Sequence, residues 1–399
     1  MTAPLPRRLL LLCLVALAPI WSTGPASACP FCNAQGKTLT EQVNEAALVV
    51  CGTLSNAKLD ANADFGQGTT DLRVETVLKK HAILGDKKVL PLPRYLPTDK
   101  KNNRFLVFCD VYKGKVDLLG GMVVKKDGDM IKYLRGALTV EGKEVGARLR
   151  YFFDYLDNDN LEISNDAYNE FARADYKDYR DMAAKLRADK IAKWIQDPNT
   201  PTYRLGLYAS MLGHCGAAKD ARMLRKMLDD PERRLTSGMD GMLAGYTLLE
   251  PKEGWAYTRG ILKDATKDMP LRYAALRAAR FFWTSRPDVV AKKDVAAGVA
   301  LLLDDGNLAD LAIDDLRKWG RWEVADRVLG LYGKASHDVR PVRVAIVHYA
   351  VSCPGKKAAA FVAAVRKKDP ELVKDVEESL QFDTEAPPAR AVSKRGQTP

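Results

Sequence analysis

The sequence predicts a small, mostly β Greek-key barrel followed by an all-α solenoid. Three observations predict it. Short β-rich runs alternate with turn signals from about residue 47 to 140. From about residue 150 the apolar residues recur with the 3.6-residue period of helices. Within that later stretch, a small residue returns at matching places every 31–42 residues. The 399 residues are 47% hydrophobic and 28% charged, with 28 Gly and 20 Pro. That composition excludes a wholly disordered, collagen-like or small disulfide-scaffold chain.

Arg7 and Arg8 precede an apolar run, Leu9 to Ile20, and then small residues ending in Ala26-Ser27-Ala28. A basic start, a short apolar core and an A-x-A site are the parts of a secretory signal, predicting a signal peptide over 1–28 and an exported protein. The run is shorter than the ~20 residues that span a bilayer. Cleavage would leave Cys29 first. Ala26-Ser27-Ala28-Cys29 also loosely resembles a bacterial lipoprotein box, with Ala26 where Leu is preferred; a lipid on Cys29 would tether the protein in the cell envelope.

Residues 29–150 are assigned to the barrel. Thr38–Leu48 has helical spacing, with Thr38 as cap and Glu41 three residues later. Strands follow at Ala47–Leu54, Asp71–Leu78, Lys88–Arg94 and Phe105–Tyr112, and another at Gly121–Val124 before the turn Asp127-Gly128-Asp129. Five or so such strands suit a Greek-key barrel that buries one face of each. Residues 151–382 are assigned to helical repeats. Ala209, Ala244, Ala275, Ala312 and Ala345 are separated by 35, 31, 37 and 33 residues, and Ala167 stands 42 before the first. A second helix follows each, often closing in a Leu-acidic turn such as Leu228-Asp229-Asp230, Leu262-Lys263-Asp264 or Leu303-Asp304-Asp305. Helix pairs at this period resemble HEAT or armadillo-type repeats. The polar, Pro-containing tail 383–399 is predicted to be disordered.

The formal charge is +11, and +9 without the signal. The densest cationic run is Lys79, Lys80, Lys87, Lys88, Arg94, Lys100, Lys101 and Arg104, opposed by Asp86 and Asp99. Such a patch suits an anionic polymer or a membrane surface, or simply a solvated face. Export argues against nucleic acid as the physiological partner.

Cys13 leaves with the signal, and Cys29, Cys32, Cys51 and Cys109 fall in the barrel. An even number of cysteines in one small exported domain favours disulfides. Cys215 and Cys353 lie in distant repeats and are expected to be buried free thiols. The first domain resembles the netrin-like/TIMP-like variant of the OB-fold. The resemblance rests on Cys29-Pro30-Phe31-Cys32, on Val49-Val50-Cys51-Gly52-Thr53-Leu54, on Leu72-Arg73-Val74-Glu75-Thr76-Val77-Leu78-Lys79, and on a later strand carrying Cys109. It implies leading cysteines bonded onto the barrel, with Cys32 or Cys29 paired to Cys109 and the other two forming a second bridge. In the inhibitor branch, the first cysteine's amine and carbonyl chelate a metalloprotease zinc; the pattern there is Cys-x-Cys, whereas Pro30 is inserted here.

Cys29 and Cys32 could instead form a redox pair, although the signal peptide rather than a strand precedes them. Asn33 stands where haem attachment needs His. In Gly213-His214-Cys215-Gly216 the adjacent side chains of a helix point about 100° apart, which favours a capped helix end over a nucleophile and its base. Asp157-Asn158-Asp159-Asn160-Leu161-Glu162 lacks the Gly and Glu of a calcium loop and reads as helix capping. With four His and no paired Cys-x-x-Cys motifs, no metal site is expected. Trp194, Trp255, Trp283, Trp319 and Trp322 read as core. The sequence therefore predicts an exported non-enzymatic binding or scaffold protein without cofactors, whose repeats meet a protein partner. The alternatives are a metalloprotease inhibitor and a Cys-x-x-Cys redox protein.

Overall fold

A computed structural model describes residues 29–32, 36–60, 67–98, 103–126, 128–230 and 237–385. The predicted signal segment 1–28, Lys100, Lys101 and the tail beyond 385 lie outside the described residues. Seventeen α-helices and a five-stranded antiparallel sheet are found among them.

Helix α1 (Leu39–Glu45) starts where its cap predicts. The Glu41 N–H donates to Thr38 Oγ1 at 3.2 Å, and the Thr38 N–H donates to Glu41 Oε2 at 2.9 Å. This reciprocal pair satisfies two donors that a helix start otherwise leaves open.

The strands are β1 (Leu48–Leu59), β2 (Gly68–Lys79), β3 (Val89–Leu92), β4 (Arg104–Tyr112) and β5 (Lys115–Val123), in the order β3-β2-β1-β4-β5. Three consecutive antiparallel strands with a fourth returning beside the first make a Greek key. The edges β3 and β5 approach each other, so the sheet curls toward a partly closed barrel. Its interior holds Leu48, Val50, Leu72, Leu90, Leu92, Val107, Cys109 and Leu118.

Alternation then places Val49, Cys51, Leu106 and Phe108 on the other face. That face is not solvated. It packs on Leu39 and Val43 of α1 and on Met130, Tyr133 and Leu134 of α2 (Met130–Val140), in a core that continues into the later helices. The continuous apolar run Leu48-Val49-Val50-Cys51 is therefore buried on both sides, where the sequence predicts one buried face. Helices also begin some twenty residues earlier than expected, at Met130.

The helical region continues with α3 (Val145–Phe153), α4 (Leu161–Ala172), α5 (Tyr176–Ala183) and α6 (Ala188–Gln196). Next come α7 (Thr202–Cys215), α8 (Ala218–Asp229), α9 (Met239–Leu249), α10 (Pro251–Lys263), α11 (Met269–Ser285) and α12 (Lys292–Val299). The last are α13 (Ala309–Lys318), α14 (Ala325–Leu329), α15 (Arg340–Ser352), α16 (Lys356–Lys368) and α17 (Pro370–Glu385). Ala209, Ala244, Ala275, Ala312 and Ala345 fall on α7, α9, α11, α13 and α15, and all are buried. The predicted Leu-acidic turns end α8, α10 and the 3-10 turn after α12. Helix α17 carries the chain to Glu385, into the first residues of the predicted tail.

Small residues set the seam between α7 and α9. A Cβ on Gly241 would lie 2.2 Å from the Gly206 carbonyl oxygen, and one on Gly245 would lie 2.2 Å from that of Ala209. The two backbones touch, which no larger side chain at these points would permit. Ion pairs tie later helices: Arg272 meets Asp305, and Arg280 Nε donates to Asp315 Oδ2 at 2.7 Å. At the junction with the barrel, buried Asp166 of α4 accepts the Leu39 N–H and the Tyr133 O–H, both at 2.6 Å. Those bonds hold α1 and α2 to the helical array.

Candidate functional site

Cys29 and Cys32 are bonded to each other, and Cys51 and Cys109 are free thiols. The expected staple from the leading cysteines onto the barrel is therefore absent. Strand register supplies the reason for the barrel pair. Leu48 stands opposite Cys109 and Cys51 opposite Leu106, so Cys109 points into the barrel and Cys51 toward the helices. Burial pushes the Cys109 thiol up to about 12 and raises that of Cys51. Thiols so protonated are poor nucleophiles. A bridge across three residues constrains the unfolded chain by about 2 kcal/mol in the chain-entropy model, less than half of what a 32–109 bridge would contribute.

The turn carrying the bridge rests on the helical array. The Cys32 N–H donates to Cys29 O at 3.2 Å. Phe31 is buried and its ring lies 4.8 Å from that of Phe281 on α11. The Phe31 carbonyl faces α7, 3.2 Å from where a Cβ on Gly206 would sit. Arg277 Nη2 donates to the Pro30 carbonyl at 3.3 Å. Cys29 is 4% exposed, whereas Cys32 is half-buried and forms part of a pocket wall.

That pocket encloses about 390 Å³ between the turn and helices α4, α7, α9 and α11. Tyr168, Tyr203 and Tyr273 line it with Phe31, Cys32, Pro270, Asp240 and Arg277. Arg277 Nη2 stands 2.9 Å from Asp240 Oδ2, yet that oxygen receives no aligned hydrogen bond and is buried. Burial raises the Asp240 carboxyl above the usual carboxylate range, against the pull of Arg277. The pocket thus offers aromatic surface, a guanidinium, an under-satisfied carboxylate and one half-buried cysteine of the disulfide.

A second polar group lies nearby. His214 Nε2 and the Tyr176 hydroxyl share a 3.0 Å hydrogen bond, and Arg286 Nη1 donates to that hydroxyl at 3.4 Å. Burial, with Arg286 and Arg180 in support, holds His214 down to about 4. Cys215 turns away and donates to Met211 O at 3.4 Å. Gly216 caps α7, its N–H bonded to Leu212 O. The helix-end reading of this string holds. Cys215 is a free, half-buried thiol and Cys353 a free, buried one.

The acidic string before α4 also caps. Asn160 accepts the Glu162 N–H at 3.0 Å, and Asp157 accepts Trp194 Nε1 at 3.0 Å. Among the described residues no three His, Cys, Asp or Glu side chains converge as metal ligands.

The cationic run is spread out and partly used. Lys79 Nζ donates to the carbonyls of Val43 and Asn44, Lys87 Nζ to that of Ile83, and Arg104 Nε to Glu75. Arg94 lies beside Thr70 at one end of β2, with Lys79 and Lys80 at the other. Nine strand residues separate those ends by roughly 30 Å, several Debye lengths in physiological salt. Lys80, Lys88 and Arg94 are exposed.

Sequence reasoning missed Asp240, Arg277 and the three tyrosines. Asp240 carried a signal: it is the one acid in the otherwise uncharged Met239–Leu249, and a charge buried by such a helix requires a partner. No protein-family model matches the chain, and comparisons with curated proteins and with solved structures find no match.

Proposed function

We propose that this is an exported, non-enzymatic binding protein whose helical array seats a polypeptide partner at the pocket beside the Cys29–Cys32 turn. The pocket carries the reading: three tyrosines, Pro270 and the Arg277–Asp240 pair form a mixed apolar and polar seat on first helices of successive repeats. Tyrosine and arginine are the side chains that concentrate binding energy at protein interfaces. The Greek-key strand order supports kinship with netrin-like/TIMP-like barrels, and buried small residues at a regular period support HEAT-type repeats. The signal-like Arg7–Ala28 and a formed disulfide support an oxidising, exported setting. Burial of Cys29 weighs against the inhibitor alternative, which presents its first cysteine to a protease zinc. Lys80, Lys87, Lys88 and Arg94 are exposed cations available to an anionic surface.

Photo-crosslinking tests the reading. A photoreactive residue at Tyr273 should give a discrete adduct in an envelope extract, lost with Arg277→Gln, while one at exposed Leu59 should not. The same adducts at both positions would overturn it. Intact-mass measurement should also find Cys29 as the mature N-terminus; a chain isolated with residues 1–28 attached would remove export.

A further inference from the structure

We propose that the partner presents a cysteine, and that the pocket captures it as a mixed disulfide on Cys32, with Cys29 as the leaving sulfur. This deepens the binding reading above and rests on it, since it names the chemistry of the same seat. Three features of the turn carry it.

The first is asymmetry. Cys29 is sunk in the helical core, whereas Cys32 faces the pocket. An incoming thiolate that approaches through the pocket meets Cys32, which lines it, and not Cys29, which does not. The second is anchoring. Phe31 is wedged against Phe281, its carbonyl lies on α7 at Gly206, and the Pro30 carbonyl is held by Arg277. The turn can therefore keep its place when the bond between its ends opens. The third is charge. Arg277, which holds the Pro30 carbonyl and lines the pocket with Cys32, places a guanidinium, shared with Asp240, where an attacking thiolate would enter. A structural explanation of the bond is weak by comparison, because so short a loop restrains little of the unfolded chain.

The step balances without an outside oxidant. The partner thiol loses its proton to solvent, and its thiolate attacks Cys32 Sγ along the Sγ–Sγ axis. The Cys29–Cys32 bond breaks as the new sulfur–sulfur bond forms, and Cys29 leaves as a thiolate that takes up one proton. The partner's sulfur is oxidised from thiol to disulfide, and Cys29 is reduced to thiol.

The test uses the full chain with reduced glutathione as the probe thiol, acid quenching, alkylation and peptide mapping. A free Cys-Pro-Phe-Cys disulfide peptide is the reference. We expect the glutathione mass on Cys32 and a newly alkylated Cys29. The rate should exceed that of the peptide by about tenfold, and Arg277→Gln should lose most of that factor, as an arginine-assisted thiolate requires. Tyr273→Ala, at the exposed rim, serves as a second variant and should slow capture of a tyrosine-flanked cysteine peptide more than capture of glutathione. Adducts on Cys29, or a rate at or below that of the free peptide, would overturn the proposal. A Tyr273 crosslink that persists when exchange fails would leave the binding reading standing and remove the mixed disulfide alone.

Discussion

His214 shows how a single residue couples the helical region to pH. Its folded value of about 4 lies below the ~6.5 of an unfolded histidine. Between those values the unfolded chain binds a proton that the folded chain refuses. The stabilisation is therefore complete above ~6.5 and is lost as pH falls toward 4. With discount for partial exposure it amounts to about 2 kcal/mol. Urea unfolding of the wild type against His214→Gln should show the wild type losing that much relative stability between pH 7 and 4. A pH-independent difference would contradict the assigned environment. Asp181 and Asp288, which oppose the two arginines, are unchanged in both proteins.

Residue chemistry at helix ends was largely legible in the sequence, because a cap is decided by neighbours. Thr38 with Glu41, Asn160 before α4 and Gly216 after Cys215 all appear where expected. The cysteine pairing was not legible. It depends on which face of the sheet each thiol occupies, and that is settled by pairing of β1 with β4 rather than by spacing.

At the scale of elements, the α7–α9 seam and α10 allow a paired test of backbone contact. Gly241→Ala places a methyl group 2.2 Å from a carbonyl oxygen, so the helices must part, at a cost of about 3 kcal/mol. Gly260, also in a helix interior, has nothing within 4 Å of its added Cβ. Gly260→Ala should stabilise by about 0.5–1 kcal/mol through helix propensity and the unfolded chain. Thermal scans that move both variants in the same direction would refute the close approach. Ala275→Glu on α11 should cost several kcal/mol, about 3 or more, because it buries a charge and overpacks the helix pair. Exposed Lys292→Ala should change stability by no more than about 0.5 kcal/mol, the worth of its stacking on Trp283. The helix-pair period was readable from alanines alone since close packing demands small side chains at repeating places. The start at Met130 was missed because the turn Asp127-Gly128-Asp129 reads equally as the close of a strand hairpin and as the lead into a helix.

The molecule as a whole behaves as two architectures sharing one core. The helix-facing side of β1 and β4 contributes Val49, Cys51, Leu106 and Phe108 to the same cluster as α2, α4 and α7. Phe108→Asp should therefore lower the melting temperature of barrel and helices together, as a single calorimetric transition, with a loss of roughly 4 kcal/mol. Two separated transitions, with the helical one unmoved, would show independent domains. Cys109→Ser breaks no bridge and should cost only about 1–2 kcal/mol for burying a hydroxyl. Alternation within each strand was visible in the sequence; what lay against the outer face was not, because a run apolar on both sides reads the same whether its second neighbour is a helix or another strand.

Cys51 and Cys109 are kept apart by the register and pleat of two paired strands, three positions along the ladder and on opposite faces, and that pairing exists only after distant segments of chain have met. Before then, an oxidising medium offers every thiol to every other. The three-residue spacing lets Cys29 and Cys32 close first, since short loops form fastest, and their closure withdraws two competitors. The four free thiols among the described residues must be buried or, for Cys215, half-buried before they are oxidised, while non-local β pairing is slow. Yield of native protein is thus a race between strand pairing and oxidant, and a stronger oxidant should lower the yield without altering the stability of the molecules that succeed.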